Sequence, residues 1–223
     1  MQTNSPLRLY DYFASCNCYK VRLLLSQLGR PYERVPIDIF DGETMTDEYA
    51  AINPARTTPV LSTPDGYLPE SNAILVYLAA GTPLLPDNPF ELAQVMRWLI
   101  YEQTDVVPTM GGLRFRLLVG RLTPEDPEAV RRKEGALEVL RLLDDQLAGR
   151  DYFVAGRYTI ADVALYGYSH LAHEAGIDMR PYVNVHAWFR RVQGQPGYIE
   201  NVEPYGANAA PGAGRSLYDP ADS

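Results

Sequence analysis

Residues 53–79 most constrain the fold, because they combine strand, turn, strand and helix signals within one short run. Thr58-Pro59 opens an apolar pair, which favours a strand entered through a proline. Residues 64–66, Pro-Asp-Gly, predict a turn, since Pro presets φ and Gly supplies a positive φ. A second short strand then leads into Ser71, which precedes an apolar stripe at helical spacing and is predicted to be a helix N-cap. Backbone N–H groups left unpaired at this helix start make a ready anion site.

The residues before this run predict a strand, a helix and a second strand. Residues 7–12 alternate in the manner of a strand, and apolar residues at helical spacing over 21–28 predict a helix that ends at Gly29. Residues 31–39 alternate again, and residues 41–52 form a polar, weakly helical connection. The order β-α-β, connection, β-β-α is typical of an α/β thioredoxin-like domain.

Residues 90–204, which follow the proline-rich residues 82–89, have a helical pattern. We therefore predict a thioredoxin-like domain over residues 1–81, a linker over 82–89, an all-α domain over 90–204 and an irregular tail over 205–223. The tail is rich in Gly, Ala and Pro and is expected to lack a fold of its own.

Local signals place the breaks within the helical half. The segment from Phe90 to about Arg121 is predicted to bend or break near Pro108 and the following glycine pair. Residues 123–127 predict a helix start. Thr159 and Asp162 have capping-box spacing, and Asn184 is predicted to cap the last helix.

Composition narrows the classes of partner. A net charge of −8 and a pI near 4.9 disfavour nucleic acid and anionic membranes as general partners. No apolar signal-peptide core is visible in the first thirty residues, and the longest uncharged run, 71–86, is too short to cross a bilayer. Two cysteines do not make a disulfide framework, so a cytoplasmic location is expected. The three histidines lack partners at metal-ligand spacing, and no metal site is expected.

Two runs carry a resemblance to a known family. The run T-P-V-L, a hairpin, then E-S-x-A-I resembles the glutathione-binding half of the glutathione S-transferases. The second half is similar to that family's all-α domain through Thr-x-x-Asp and Asn-Val-x-Ala-Trp, and the likeness covers about residues 7–200. The resemblance implies a cytosolic, bacterial, serine-type glutathione transferase of detoxifying function, a homodimer with glutathione as co-substrate and a small hydrophobic electrophile as second substrate.

The resemblance also assigns glutathione contacts. The Thr58 backbone would pair with the cysteinyl part of glutathione, next to a cis Pro59, while Glu70 and Ser71 would hold the γ-glutamyl end. Many relatives have Gly followed by Lys, Arg or Gln where this chain has Arg56 and Thr57. Arg56 thus comes one residue early, and from there it would reach the glycyl carboxylate of glutathione.

Ser15, between the first strand and the first helix, lies where the serine-using members have their catalytic hydroxyl. It would hydrogen-bond the glutathione sulfur and favour the thiolate, with Asn17 orienting the thiol or the hydroxyl. Three alternatives stay open. Ser15 could only cap the helix; Cys16 could run thiol-disulfide exchange through a mixed disulfide with glutathione; or the chain could be a non-catalytic binding protein. Cys18, one turn below Ser15, is expected to be a core residue.

Position alone suggests where the second substrate would lie. Tyr101, Met110 and Arg114 on the long helical segment are candidates for its pocket, together with Leu113 and Phe115. Asp105 could reach the glutathione amine of a partner subunit by analogy with relatives, although a solvated helix residue is the simpler interpretation.

Overall fold

A four-stranded mixed sheet forms the centre of the first half of the chain. The computed structural model describes residues 7–218, so the predictions for residues 1–6 and 219–223 lie outside the described residues. The strand order is β2-β1-β3-β4, with β1 parallel to β2 and β3 antiparallel to both β1 and β4. The strands are β1 Leu7–Asp11, β2 Tyr32–Pro36, β3 Val60–Thr63 and β4 Gly66–Pro69.

Three helices accompany this sheet, α1 Cys16–Gln27, α2 Asp47–Ile52 and α3 Ser71–Ala79, with a 3₁₀ turn at Glu43–Met45. Helix α1 contains most of the predicted apolar stripe, begins five residues before it, and ends where Gly29 takes a positive φ of 59°. Most of α1 is buried, because it packs against α3 on one side and against the helical half on the other. The predicted thioredoxin-like fold is confirmed.

The helical half contains α4 Pro89–Tyr101, α5 Gly112–Leu118, α6 Pro127–Leu147, α7 Ile160–Ser169 and α8 Val183–Gln193. A π-helical segment, Glu102–Gly111, joins α4 to α5 without a break, and a 3₁₀ turn follows α7 at Ala172–Ala175. The predicted long segment is therefore present, and Pro108 lies inside its π-helical part. A proline there has no N–H to donate, which suits a stretch where regular α-helical bonding is already interrupted.

Two predicted caps need correction. Helix α3 begins at Ser71 itself, and Glu70 takes the N-cap position with a φ of 72°, so Ser71 is not the N-cap. Asn184 is the second residue of α8 rather than its cap. The carboxylate of Asp144 on α6 accepts the N–H groups of Asn184 and Val185 at 2.8 and 3.0 Å. A residue from another helix therefore replaces the local cap, which the local sequence does not reveal.

The predicted capping box at the start of α7 is confirmed. The Thr159 side chain accepts the N–H of Ala161, while the fully buried Asp162 carboxylate accepts the N–H of Thr159 at 2.9 Å. Asp162 also accepts the indole N–H of Trp188 at 3.0 Å. Helix α7 is thereby fixed to α8 at its first turn.

A buried polar network joins the two halves. Lys20 of α1 donates to Glu102 at 2.9 Å, and neither side chain is exposed. Asn72 of α3 bridges them, accepting from Lys20 at 3.2 Å and donating to Glu102 at 2.9 Å. Each polar group of this set has a partner, as burial requires. No helix among the described residues is both long and apolar enough to cross a membrane.

The last described residues have little regular structure but lie against the first half of the chain. Asn208 donates to Asp38 at 3.0 Å and to Asp41 at 2.8 Å. The Arg215 N–H donates to the Phe40 carbonyl at 2.7 Å. A Cβ at Gly214 would lie 2.4 Å from the Phe40 oxygen, so glycine permits this close approach. Residues 205–218, which we call the tail segment, thus have fixed partners in the first half.

Candidate active site

A cleft of about 380 Å³ lies between the two halves, with the tail segment along one side. This volume is within the range of small-molecule sites, roughly 300–1,000 Å³. The side of the first half is formed by residues near the start of α1 and the loop before β3. The helical side comes from the π-helical segment, α5 and α6. The residues of the wall are Tyr12, Ser15, Asn17, Ile39, Thr44, Arg56, Thr57, Thr58, Val107, Pro108, Gly111, Gly112, Phe115, Arg116, Arg132, Tyr168, Tyr205, Leu217 and Tyr218.

Ser15 is the N-cap of α1 and belongs to the cleft wall. Its hydroxyl oxygen accepts the N–H of Cys18 at 3.4 Å. A serine hydroxyl that accepts one hydrogen bond still has its own hydrogen to donate. The helix end also brings backbone N–H groups and the positive end of the helix dipole to the same place. The position therefore suits a negatively charged atom in the cleft.

Asn17 also lies in the wall and connects two helix starts. Its side-chain oxygen accepts a hydrogen bond from the Ser71 hydroxyl at 3.3 Å. Ser71 is buried and does not itself reach the cleft wall. The first turns of α1 and α3 are thereby held side by side, which fixes the orientation of the Asn17 amide next to Ser15.

The loop before β3 is held rigidly at the cleft. The Thr57 carbonyl accepts from the Asn53 amide and from the Tyr49 hydroxyl, each at 2.9 Å. The Thr58-Pro59 bond is cis, as the family resemblance implied. Thr57 and Thr58 line the cleft, whereas Pro59 is buried behind them.

Arg56 reaches the cleft in a constrained conformation, with a φ of 56°. Its guanidinium donates to the Thr46 carbonyl at 2.8 Å and approaches Asp47 at 3.4 Å. These contacts hold the arginine against the start of α2. Glu70, in contrast, is exposed and is not part of the cleft wall. Of the five predicted glutathione contacts, the structure brings Arg56 and Thr58 into the cleft and leaves Pro59, Glu70 and Ser71 behind it or beside it.

The three predicted second-substrate residues lie elsewhere. Tyr101 packs edge-on against Trp98 at a centroid distance of 5.6 Å, and Met110 is buried in the main core. Arg114 is buried and bound to Glu174 at 2.5 Å. None of them lines the cleft, because the π-helical segment and α5 turn other side chains towards it. Phe115 is the one residue of the five proposed from position that does belong to the wall.

The tail segment supplies aromatic residues that the sequence analysis did not assign to the site. Phe115 packs against Tyr205 at 5.3 Å and against Tyr218 at 5.1 Å between ring centroids. Tyr12 and Phe40 continue this cluster on the opposite side. The sequence signal was present, since Tyr205 and Tyr218 are large aromatic residues within a stretch of small ones. The cleft therefore has an aromatic wall where α5 meets the tail segment.

Tyr12 is a second hydroxyl in the cleft wall. Burial, assisted by the nearby Asp38 carboxylate, raises its pKa to about 12. The phenol is therefore protonated at neutral pH and can act only as a hydrogen-bond donor or acceptor.

The two cysteines do not take part in the cleft. Cys16 and Cys18 are free thiols, both buried, and neither lines the wall. Burial raises the pKa of Cys16 to about 11, in spite of the nearby positive charges of Arg114 and Lys20. Burial likewise raises the pKa of Cys18 to about 12. A neutral, inaccessible thiol lacks the thiolate character that disulfide exchange needs, so the structure gives no support to exchange through Cys16. Across residues 7–218, no group of three or more His, Cys, Asp or Glu residues is arranged to hold a metal ion.

Family models match both halves of the chain. The N-terminal domain of glutathione S-transferase matches residues 9–84, and the C-terminal domain of glutathione S-transferase matches residues 106–196. Together the two matches cover most of the chain and both sides of the cleft.

Solved structures and a curated relative agree with these matches. A possible glutathione S-transferase from Rhodopseudomonas palustris is 39% identical, with a TM-score of 0.85 over 89% of this chain and 99% of that one. A glutathione S-transferase from Pseudomonas fluorescens is 38% identical, with a TM-score of 0.85 over 89% of this chain and 100% of that one. Glutathione S-transferase stcT of Emericella nidulans is 32% identical over 163 residues, which are 71% of this chain and 75% of the relative. With its thioredoxin-like and all-α halves and the cleft between them, the chain belongs to the glutathione S-transferase family of enzymes.

Proposed function

We propose that this chain binds glutathione in the cleft and activates its thiol through Ser15 for attack on a small apolar electrophile. The observation that carries the proposal is the position of Ser15, a helix N-cap in the wall of a cleft that Phe115, Tyr205 and Tyr218 also line. Asn17, fixed by Ser71, is assigned to orient the thiol or the serine hydroxyl.

Ser15 and the start of α1 can supply the free energy that is needed to lower the pKa of the glutathione thiol. A free thiol has a pKa near 8.5, and lowering it by two units requires about 2.7 kcal/mol. A hydrogen bond to a charged atom contributes about 1.5–3 kcal/mol, and the end of a helix about 0.3–1 kcal/mol. Ser15 and the start of α1 together account for the shift without a general base.

Glutathione is assigned to the side of the first half. The Thr58 backbone is adjacent to the cleft and would pair with the cysteinyl part of the peptide, next to the cis Pro59. Arg56 provides a positive charge at the same side for the glycyl carboxylate. Glu70 and Ser71, at the start of α3, are assigned to the γ-glutamyl end, which would extend beyond the cleft.

The proposed reaction takes one of two forms, a substitution that releases a leaving group or an addition that takes up a proton. In substitution, the thiolate sulfur forms a bond to an electrophilic carbon while the leaving group departs with its electron pair. In conjugate addition, the sulfur adds to a carbon–carbon double bond and the resulting carbanion takes up a proton. In both cases the cleft contributes by holding the two reactants together.

The thiolate of bound glutathione is the species to measure. Its ultraviolet absorbance is recorded across pH with wild type, Ser15→Ala, and Ser26→Ala, a serine of the same helix outside the cleft wall. We expect a thiolate pKa about two units below the free value in wild type and Ser26→Ala. In Ser15→Ala the pKa of the glutathione thiol should rise by about one to two units, towards the free value.

The other outcomes separate the alternatives. A lowered pKa that does not depend on Ser15 would remove the serine from the mechanism. Glutathione that binds without any change in thiol pKa would leave a binding protein without thiol activation. No glutathione binding at all would contradict the proposed co-substrate.

We further propose a homodimeric, cytoplasmic enzyme that detoxifies electrophiles. Large apolar side chains on one face of α4 support the dimer, since Phe90, Met96 and Ile100 are 71%, 40% and 59% exposed. Two free thiols suit a reducing compartment. Light scattering tests the dimer, and a particle of 25.0 kDa would contradict it.

A further inference from the structure

The charge of the cleft is opposite to that of the whole chain. The chain carries a net charge of −8, with 28 acidic against 20 basic residues. Within residues 7–218, however, the cleft wall contains Arg56, Arg116 and Arg132 and no Asp or Glu. Arg56 lies on the side of the first half, next to the proposed glutathione site. Arg116 and Arg132 lie on the helical side, where the second substrate would bind.

Arg116 of α5 and Arg132 of α6 converge on one point of this wall. A Cβ added at Gly112 would lie 2.6 Å from Nη1 of Arg132 and 3.3 Å from Nη1 of Arg116. The absence of a side chain at Gly112 therefore leaves the space in which the two guanidinium groups meet. Two like charges this close repel each other unless an anion lies between or beside them.

A single carboxylate serves both arginines among the described residues. Glu128 binds Nε and Nη2 of Arg132 at 2.8 and 2.6 Å, and it reaches Nε of Arg116 at 3.5 Å. Burial, together with the repulsion from Arg132, lowers the pKa of Arg116 below the usual value for arginine. The pair thus has one positive charge in excess at the cleft wall.

Part of this arrangement has a structural explanation. Arg132 donates to the Pro108 carbonyl, and Arg116 donates to the Gly112 carbonyl at 3.2 Å. These bonds satisfy carbonyl groups at the end of the π-helical segment and the start of α5. A cap of this kind needs a donor but not two charges in one cleft, and it does not explain why the described residues of the wall include no carboxylate.

The surroundings of the pair are apolar and aromatic. Phe115 is the neighbour of Arg116 along α5, and Tyr218 and Leu217 of the tail segment also line the cleft. Phe115 and Tyr218 pack together with their centroids 5.1 Å apart. A charged group and a flat apolar body could therefore be bound at the same time, since a guanidinium fork matches a carboxylate and aromatic faces match a planar ring.

We propose that the second substrate is a flat, apolar electrophile bearing one carboxylate, and that Arg116 and Arg132 bind this carboxylate beside the aromatic wall. The inference rests on the proposed transferase function for its reaction, but not for its binding site. The carboxylate is recognised by the arginine pair, while the electrophilic carbon is directed towards the start of α1 and the bound thiolate.

Binding is tested with two probes of nearly equal shape, 3-nitrobenzoate and 3-nitrobenzamide, by calorimetry with the full chain. Wild type is expected to bind the benzoate about ten-fold or more tightly than the amide, since hydrogen bonds between a guanidinium and a carboxylate are stronger than those to a neutral amide. In Arg116→Gln and in Arg132→Gln this preference should fall about ten-fold. Arg132→Lys should keep part of it, which separates the charge from the packing of the side chain.

Arg131→Gln is the matched control. Arg131 precedes Arg132 on α6, carries the same charge and is exposed away from the cleft wall. This variant should keep the preference for the benzoate. Equal binding of the two probes by wild type, failure of both to bind, or an equal loss of preference in Arg131→Gln would each overturn the proposal. A lower melting temperature in Arg132→Gln with the preference unchanged would show that the arginines act only as caps.

A third set of titrations contains saturating S-methylglutathione. The preference should persist there, because glutathione is assigned to the opposite side of the cleft. Displacement of the benzoate by S-methylglutathione would assign the arginines to the peptide and overturn the proposal.

Measurements of turnover test the proposed transferase reaction separately from the proposed carboxylate-binding site. With 4-chloro-3-nitrobenzoate and glutathione, the sulfur bonds to the ring carbon, chloride leaves with its electron pair, and the thiol proton goes to solvent. The ratio of kcat/KM for this acid to that for its methyl ester should fall about ten-fold in Arg132→Gln and stay constant in Arg131→Gln. A chain that keeps the binding preference but gives no conjugate would contradict the proposed transferase function and leave the carboxylate site in place.

Discussion

Lys20 and Glu102 show how a single ion pair ties the two halves together. Both side chains are fully buried, and Asn72 and Gln103 also bind the Glu102 carboxylate, at 2.9 and 2.8 Å. A buried ion pair gains little over an apolar pair, but removing one partner leaves an uncompensated charge in the interior. The stability of the chain therefore depends on both members being present.

Glu102→Gln should lower the free energy of unfolding by about 3–5 kcal/mol, because Lys20 then remains buried without a counter-ion. The double variant Lys20→Met with Glu102→Gln should lose clearly less, since it removes both charges. Urea denaturation of the three proteins measures the difference. Equal losses in the single and double variants would show that the charge of Lys20 is not the cause.

His170 gives the stability a dependence on pH. Its Nδ1 lies 2.7 Å from the Tyr166 carbonyl and its ring stacks on Tyr166 at 4.4 Å. Burial is the main cause that lowers the pKa of His170 to about 4, and the positive charge of Arg114 adds to it. The unfolded chain, with a histidine pKa near 6.5, therefore binds the proton more readily than the folded chain.

This difference in the pKa of His170 between the folded and the unfolded chain lowers the stability at acid pH. The folded state should lose about 3 kcal/mol through His170 as the pH falls from 6.5 to 4, and nothing through this residue above pH 7. His170→Gln should remove this part of the pH dependence, whereas His173→Gln, an exposed neighbour, should keep it. Denaturation at pH 7, 5.5 and 4 provides the comparison, and parallel curves for wild type and His170→Gln would contradict the assignment.

The π-helical segment is the element that shapes the cleft. It brings Val107 and Pro108 to the wall and ends at Gly111, directly before Gly112 of α5. A Cβ at Gly111 would lie 2.6 Å from the ring of Tyr168, which is itself a wall residue. Close packing of backbone against ring at this point sets the width of the cavity, and only glycine allows it.

Gly111→Ala should therefore push the Tyr168 ring into the cleft and lower the stability by about 1–3 kcal/mol, as expected for overpacking. In a Tyr168→Ala background the same change should lower the stability much less, because the ring atoms that would clash with the new methyl group are absent. A cycle of four melting curves measures the coupling. Additive effects of the two changes would show that the ring is not what excludes a side chain at residue 111.

The elements were more predictable than their ends and their contacts. The hairpin at residues 60–69, the stop of α1 at Gly29 and the capping box of Thr159 have local signals, and the structure confirms them. The cap of α8 comes from Asp144, forty residues away, so no local pattern could predict it. The placement of Ser15 in the cleft followed from the family resemblance. The residues of the helical side of the cleft were missed, apart from Phe115, because the helical register alone does not tell which face of the π-helical segment and α5 is turned to the cleft.

At the scale of the whole molecule, the tail segment closes one side of the cleft. Phe40 and Phe115 pack against its tyrosines, and Arg121 donates to the carbonyls of Tyr218 and Ala209 at 2.8 and 3.2 Å. A segment with little regular structure is thus held by both halves and contributes two of the five aromatic residues in the described cleft wall, Tyr205 and Tyr218.

A chain that ends at Glu203 should expose this aromatic wall. Loss of the ring contacts, worth about 0.5–1.5 kcal/mol each, should lower the melting temperature by several degrees. The emission of 1-anilinonaphthalene-8-sulfonate should increase at the same time, because the dye binds newly exposed apolar surface. Tyr218→Ala should give a smaller effect of the same kind. A shortened chain with unchanged melting and dye emission would mean that the tail segment does not cover the cleft in solution.

The partners of helix α1 also determine when this helix can complete its contacts during synthesis of the chain. Lys20 needs Glu102, the Tyr19 hydroxyl donates to the Ile199 carbonyl at 2.8 Å, and Arg22 donates to the Asn201 carbonyl at 2.9 Å. These residues leave the ribosome long after the sheet has emerged, although domains generally fold in the order in which they are made. Helix α1 is translated before the other helices but is among the last to complete its contacts. In a nascent chain stalled before residue 199, the Tyr19 hydroxyl and the Arg22 guanidinium still lack these two carbonyl partners.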